Sequence, residues 1–318
     1  MGITIVYVHG SGNQVREALL KQQWDEALFG RDLGASSRMA YWASVLVPAA
    51  VAGPVVGGGG VRRDRRGAEI EEVPTSLLEA APPPPVEPPE EFVAQSIREV
   101  QAAEAAITLE SVPESAGKDL EEWLRRMTYT ADALAAGENA EPPPASPFEA
   151  LPLPRPIRIA AFRELVKRTF KDVYAYFFGD SKEPMRQVLR DALGGIDGPV
   201  VVLSHSLGTI IAYDVLREQG SSGLEIPLFV TVGSPLGVTE VQDLVARPLQ
   251  VPAAVTAWRN ASDARDLVAL DHTLRSAYPP AERCTDFVVV NDSSNHHGIR
   301  EYLRAAPIQE PIRELFQQ

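Results

Sequence analysis

The stretch 199-PVVVLSHSLGTIIAY-213 decides the fold. Four apolar residues, Val200, Val201, Val202 and Leu203, predict a buried strand, and Ile210, Ile211, Tyr213, Val215 and Leu216 predict a helix that follows without a break. Only Ser204-His205-Ser206-Leu207-Gly208 lies between them. A turn this sharp strains its central residue and wants a small residue two positions to either side, the pattern Gly-x-Ser-x-Gly. Gly208 supplies the second small residue, and Ser204 stands in place of the first. The turn would lift the Ser206 hydroxyl above a sheet, with a helix N-terminus beneath it. The Leu207 N–H would then face any oxyanion forming there.

The flanking chain repeats the strand-and-helix alternation. Met1 to Val8 reads as a buried strand that delivers His9-Gly10-Ser11-Gly12 at its C-terminal end, where open α/β sheets bind ligands. The N–H of Ser11, or that of its neighbour Gly10, is the natural second oxyanion donor. Gln14 to Phe29 predicts a helix with Val15, Leu19, Leu20, Trp24 and Leu28 on one face, and Arg38 to Ser44 predicts a second strand. Ile159 to Phe178 and Met185 to Leu193 predict two further amphipathic helices. Later strands are expected at Ile226 to Val232, ending in Gly233-Ser234-Pro235-Leu236-Gly237, at Ala254 to Trp258 and at Phe287 to Val290. The sum is an α/β protein with a doubly wound, mostly parallel sheet of about six strands and no internal repeats.

Residues 45–156 interrupt this pattern. An uncharged run from Met39 to Val61 is long enough to span a bilayer, but Pro48, Gly53, Pro54 and Gly57 to Gly60 argue for a strand followed by an apolar loop. Arg62, Arg63, Arg65 and Arg66, followed by Glu69, Glu71 and Glu72, read as a solvated charged loop. Two proline-rich linkers, 80–89 and 141–156, bracket helical spacings at Phe92, Ser96, Val100, Ala103 and Ile107 and at Leu120, Trp123, Leu124, Met127, Ala131 and Leu134. The expected organisation is a core of 1–44 and 157–318 with a helical, Pro-rich cap or lid insertion at 45–156. The insertion's apolar faces are alternatively a surface for self-association or a protein partner.

Of the 318 residues 45% are hydrophobic and 23% charged, which suits a folded soluble protein. The net charge of −13 disfavours a general nucleic-acid binder. A single cysteine, Cys284, excludes an intrachain disulfide and reads as structural. No secretory leader or transmembrane segment is legible, so a cytoplasmic protein is expected. Five histidines and one cysteine show no ligand spacing, so neither a metal nor a cofactor is expected.

A serine hydroxyl needs a base to become a nucleophile, and the base needs an acid to orient it. Two carboxylates, Asp263 and Asp266, follow the Ala254 strand; Asp266 is favoured as the acid and Asp263 as a loop-stabilising cap. His296 and His297 follow the last strand, and residue type alone does not choose between them. His205 is expected to point elsewhere and to be structural rather than catalytic, and His9 to serve the hydrogen bonding of its own loop.

Taken together, VYVHGSGN, FRELVKRTFKDVYAYFF, VVVLSHSLGTIIAYDVL, TVGSPLG, WRNASDARDLVA and NHHGIREYL resemble the bacterial α/β-hydrolases of the serine esterase and lipase superfamily. The resemblance covers 1–44 and 157–305 and departs from the pattern at Ser204 and at Leu267, where a proline commonly follows the acid. It implies that the six strands are the third to eighth of that fold, with His297 on the catalytic position. It also implies a Ser206–His297–Asp266 triad, an oxyanion hole at Gly10, Ser11 and Leu207, and hydrolysis of an ester or related acyl bond through an acyl-enzyme. The apolar 39–61 region leans toward a small-molecule or lipid substrate with a lipophilic acyl group. A thioesterase, amidase or acyltransferase would use the same machinery. The alternative from another class is a non-catalytic binding or scaffold protein, whose mark would be a broken triad.

Overall fold

The computed structural model describes residues 2–12, 14–46, 62–63, 69–70, 94–95, 98, 155–218, 223–266, 268–269, 271–293 and 296–317. Six strands form one sheet: β1 (Thr4–Val8), β2 (Ser37–Ala40), β3 (Val200–His205), β4 (Ile226–Val232), β5 (Val255–Ser262) and β6 (Cys284–Val288). Their order is β2-β1-β3-β4-β5-β6, and every neighbouring pair is parallel. Helices flank it on both sides: α1 (Glu17–Phe29), α2 (Arg155–Thr169), α3 (Lys171–Phe177), α4 (Lys182–Leu193), α5 (Leu207–Glu218), α6 (Thr239–Leu244), α7 (Ile299–Arg304) and α8 (Ala306–Leu315). The protein is of the α/β class.

Alternation along the strands sorts the core into two layers. Ile5, Tyr7, Val201, Leu203, Leu228 and Val230 pack with Trp24 and Leu28 of α1, Leu303 of α7 and Ile308 and Ile312 of α8. Val6, Val8, Val200, Val202 and Phe229 face Met185 and Leu189 of α4 and Ile210, Ile211 and Val215 of α5. Burial on both faces is why the central strands read as unbroken apolar runs. Asp25 is buried in the first layer, but it accepts from Tyr7 Oη, Ser37 Oγ, Lys21 Nζ and the Leu33 N–H, so its charge is matched.

The chain leaves β1 for β2 on one side, while β3 lies on the other. That reversal opens a crevice above the C-terminal ends of β1 and β3, where an α/β sheet holds its ligands.

Several boundaries differ from the sequence reading. The helix expected over Ile159 to Phe178 is two helices, broken at Phe170 (φ −126°, ψ 68°); apolar spacing cannot report a single non-helical residue whose neighbours bury the same side. The α1 helix starts at Glu17, and Val15 and Leu19 stay 42% and 46% exposed, so its buried face is the row Leu20, Trp24, Leu28. β2 ends at Ala40, and Trp42–Leu46 is a 3-10 turn that aims the Trp42 indole at the His9 carbonyl. β5 runs on to Ser262 because its polar end is satisfied: Asn260 Oδ1 accepts from Thr231 Oγ1 at 2.9 Å. β6 begins at Cys284, and Val288 and Val290 are exposed. Arg155 and Pro156 open α2 rather than close a linker. Helices α6, α7 and α8 were not predicted.

Of the insertion, Arg62–Arg63 and Glu69–Ile70 form a short antiparallel pair. The helical spacings at 92–134, the linkers at 80–89 and 141–154, and Arg65 and Arg66 lie outside the described residues, apart from 94–95 and 98. No helix among the described residues is long and apolar enough to cross a membrane.

Candidate active site

Ser206 sits between β3 and α5 with φ +52°, in left-handed backbone that non-glycine residues rarely adopt. Its neighbours explain how it is held there. The Ser206 N–H donates to the Val232 carbonyl at 3.2 Å. Its own carbonyl accepts from the Thr209 N–H at 2.9 Å and from Thr209 Oγ1 at 2.7 Å. Since that hydroxyl's one proton is used, Ser234 Oγ is the donor in its 2.8 Å contact with Thr209, while accepting from the Leu236 N–H. Ser234 thus fastens the turn from the end of β4, a role not legible in the sequence.

The two small positions of the turn have different reasons. A Cβ on Gly208 would lie 2.3 Å from the Val8 carbonyl oxygen and 2.5 Å from that of His9, so only glycine lets α5 approach β1. Ser204 is tolerated at the other position because its buried hydroxyl donates across to the Val230 carbonyl at 3.0 Å. The departure from glycine leaves no unpaired group.

The loop after β1 lies against this turn: a Cβ on Gly10 would come within 2.8 Å of Ser206 Cβ and His205 Nδ1. The Gly10 carbonyl accepts from His9 Nδ1 at 2.8 Å and from Gln14 Nε2 at 3.3 Å. In a trans peptide the N–H points opposite to the C=O, so these two donors also set the direction of the Ser11 N–H. Asp172 Oδ2 accepts from the Gly12 N–H at 2.9 Å and ties the loop to α3. Ser11 Oγ is buried without a hydrogen-bond partner. Leu207 is buried as the first residue of α5, whose first-turn N–H groups have no partner within the helix.

His9 does serve its own loop. Its Nε2 accepts from the Ala43 N–H at 3.3 Å, its Nδ1 is committed to Gly10, and its ring stacks on Trp42 at 4.4 Å. Burial pushes its imidazole down to about 4, against the opposing effect of the Gly10 bond. The unfolded chain takes up a proton below pH 6.5 that the folded chain refuses, so stability falls on acidification between 6.5 and about 4. The loss attributable to His9 should be about 3 kcal/mol. Urea unfolding of wild type and His9→Asn across this window checks it; identical pH slopes would refute the assignment.

The candidate acid and base come from two other loops. His297 Nδ1 donates to Asp266 Oδ2 at 2.8 Å. Asp266 is buried, its Oδ2 also accepts from Tyr302 Oη at 2.5 Å, and its Oδ1 accepts from the Val268 and Ala269 N–H groups. Burial alone would raise this carboxyl, but His297, Tyr302 and Val268 outweigh it and hold it below the ordinary value. Asp263 is turned elsewhere: it accepts from Arg265 and from the Asn291 N–H, the cap role expected of it. His296, at φ +54°, directs Nδ1 to the Asn291 carbonyl at 2.8 Å. His297 Nδ1 is thus committed to Asp266.

Gly233 makes room for this pair. It lies at φ +53°, and a Cβ there would sit 2.8 Å from His297 Cε1 and Nδ1 and 3.0 Å from Asp266 Oδ2. Tyr302 ties α7 to the loop after β5, because its hydroxyl accepts from the Asp263 N–H while donating to Asp266. The tyrosine is visible in the chain, but only the fold reveals its partner.

His205 departs from its expected place. Its ring packs on that of His297, with centroids 4.5 Å apart, and its Nε2 meets the His297 carbonyl at 2.9 Å. Burial, then neighbouring His297, push it down to about 3. Cys284 is buried, and its thiol is pushed up to about 12, chiefly by burial, which suits a packing role. His272 contacts Ser262 Oγ through Nδ1, and among the described residues no three His, Cys, Asp or Glu side chains converge as a metal site.

Compared with models of protein families, with curated proteins and with solved structures, the chain matches none.

Proposed function

We propose that this chain is a serine hydrolase of the α/β-hydrolase type that cleaves an ester or related acyl bond. The observation carrying the reading is the left-handed Ser206 at the switch-point crevice, together with the hydrogen-bonded His297–Asp266 pair, which meets the same turn through His205. In this reading Ser206 Oγ attacks the acyl carbonyl while His297 Nε2 takes its proton. The tetrahedral oxyanion is met by the N–H of Leu207 at the start of α5 and by that of Ser11, on the loop whose Gly10 packs against the Ser206 turn. Each such donor contributes about 3 kcal/mol to transition-state stabilisation. His297 then returns the proton to the leaving alkoxide, thiolate or amine, and the acyl-enzyme remains on Ser206. Water adds next, giving its proton to His297, and the acid is released as Ser206 regains it. Asp266 keeps the Nδ1 proton in place throughout and stabilises the imidazolium.

The leaning toward a lipophilic acyl group rests on the apolar 39–61 sequence, of which Trp42, Val45 and Leu46 are described and pack on the core. The leading test is intact-mass analysis after treatment with a fluorophosphonate. One adduct per chain is expected on wild type and none on Ser206→Ala. An adduct that persists in Ser206→Ala would place the reactive nucleophile elsewhere, and a wild type that never reacts would turn the reading toward a binding protein on the same fold.

A further inference from the structure

We propose that His205 is a positioning residue: its imidazole holds the loop that carries His297 against the turn that carries Ser206, and braces the Gly10 loop on its other edge. The inference rests on the hydrolase reading, but its geometry is independent of it. His205 Nε2 lies 2.9 Å from the His297 carbonyl, and a carbonyl only accepts, so Nε2 bears the proton. Its Nδ1 edge faces Gly10, where any side chain would collide with it. The ring also lies 4.5 Å from that of His297 and 6.3 Å from that of Tyr302. One side chain on the last residue of β3 therefore touches the loops that follow β1 and β6.

The loop at 291–298 is also braced from within, through Asn291 to Gly298 and to Ser293 and through Ser293 to Gly298, and is held to the loop after β5 by Asp263 and Asp266. The His205 bond ties it to the sheet immediately beside Ser206. Burial, together with His297 and against Asp266 on the same side, keeps the ring uncharged; His9 and Tyr302 are the other titratable groups near it. An uncharged neighbour matters because a second cation at 4.5 Å would oppose protonation of His297 as Ser206 is activated.

The test combines wild type with two variants. In protein labelled with 15N-histidine, NMR should find His205 as the uncharged Nε2–H tautomer down to about pH 5, given the depressed value. An Nδ1–H tautomer, or a ring charged at that pH, would overturn the proposal without reference to activity. His205→Leu removes the donor but keeps the bulk, and His205→Gln restores an N–H of similar reach. Fluorophosphonate labelling should slow by about a hundredfold in the leucine variant and recover most of that loss in the glutamine variant, at matched thermal midpoints. Equal rates in wild type and His205→Leu would refute it while leaving the hydrolase reading intact. Should wild type not label at all, amide exchange at 296–298 decides: faster exchange in His205→Leu supports the brace, and unchanged exchange refutes it.

Discussion

Replacing Asp266 with asparagine should slow acylation of Ser206 by about 10⁴-fold, whereas Asp263→Asn should leave the rate near wild type and lower stability. The carboxylate of Asp266 faces donors only: His297 Nδ1 and Tyr302 Oη on one oxygen, the Val268 and Ala269 N–H groups on the other. An amide keeps one acceptor. If that oxygen stays with the backbone, the new NH₂ faces His297 Nδ1, and the imidazole must carry its proton on Nε2, where it can no longer accept one from Ser206. Asp263 is bound to Arg265 and to the Asn291 N–H, away from both histidines, so its loss weakens the loops by about 1–3 kcal/mol. Fluorophosphonate labelling rates with urea midpoints for the two variants decide this, and a fast Asp266→Asn beside a slow Asp263→Asn would reverse the assignment.

Gly233→Ala should slow the chemistry by about a hundredfold while the chain still folds. Left-handed backbone at φ +53° costs alanine about 1–2 kcal/mol. Its methyl group would press on the His297 ring and the Asp266 oxygen, both within 3.0 Å. A displacement of about 1 Å in such a pair costs about a hundredfold in rate. Gly208→Ala should behave the other way round, since its methyl group meets the Val8 and His9 carbonyls, which cannot move without β1. We expect Gly233→Ala to fold and label at least about a hundredfold more slowly, and Gly208→Ala to fail at folding. A Gly233→Ala protein that labels at the wild-type rate would show that the pair does not depend on this contact.

Much of the architecture was legible because strand and helix patterns are local. Buried parallel strands are continuous apolar runs, and β1, β3 and β4 were placed to within a few residues on that basis. Reading failed where burial was polar or where packing overrode periodicity. Asn260 and Ser262 extend β5 with hydrogen-bonded side chains, and Phe170 interrupts an apolar spacing that continues on both sides of it. Leu19 has the spacing of a core residue and is exposed, because spacing shows which residues share a face and not how far the neighbouring element extends.

The candidate site divides along the same line. By itself the sequence determined that Ser206 lies on a tight turn between a buried strand and a helix, since apolar runs separated by only five residues, three of them serine or glycine, leave the backbone few alternatives. It also determined that acidic and histidine residues follow later strands. Which of two aspartates and which of two histidines meet was decided only by the tertiary structure. The sequence reading favours Asp266 and the family resemblance points to His297, but the paired candidates are chemically identical near neighbours, so only tertiary contacts fix which of them meet. Contacts from distant segments do: the Tyr302 hydroxyl draws Asp266 inward, the Asn291 N–H holds Asp263 away, and bare Gly233 leaves the space that His297 fills.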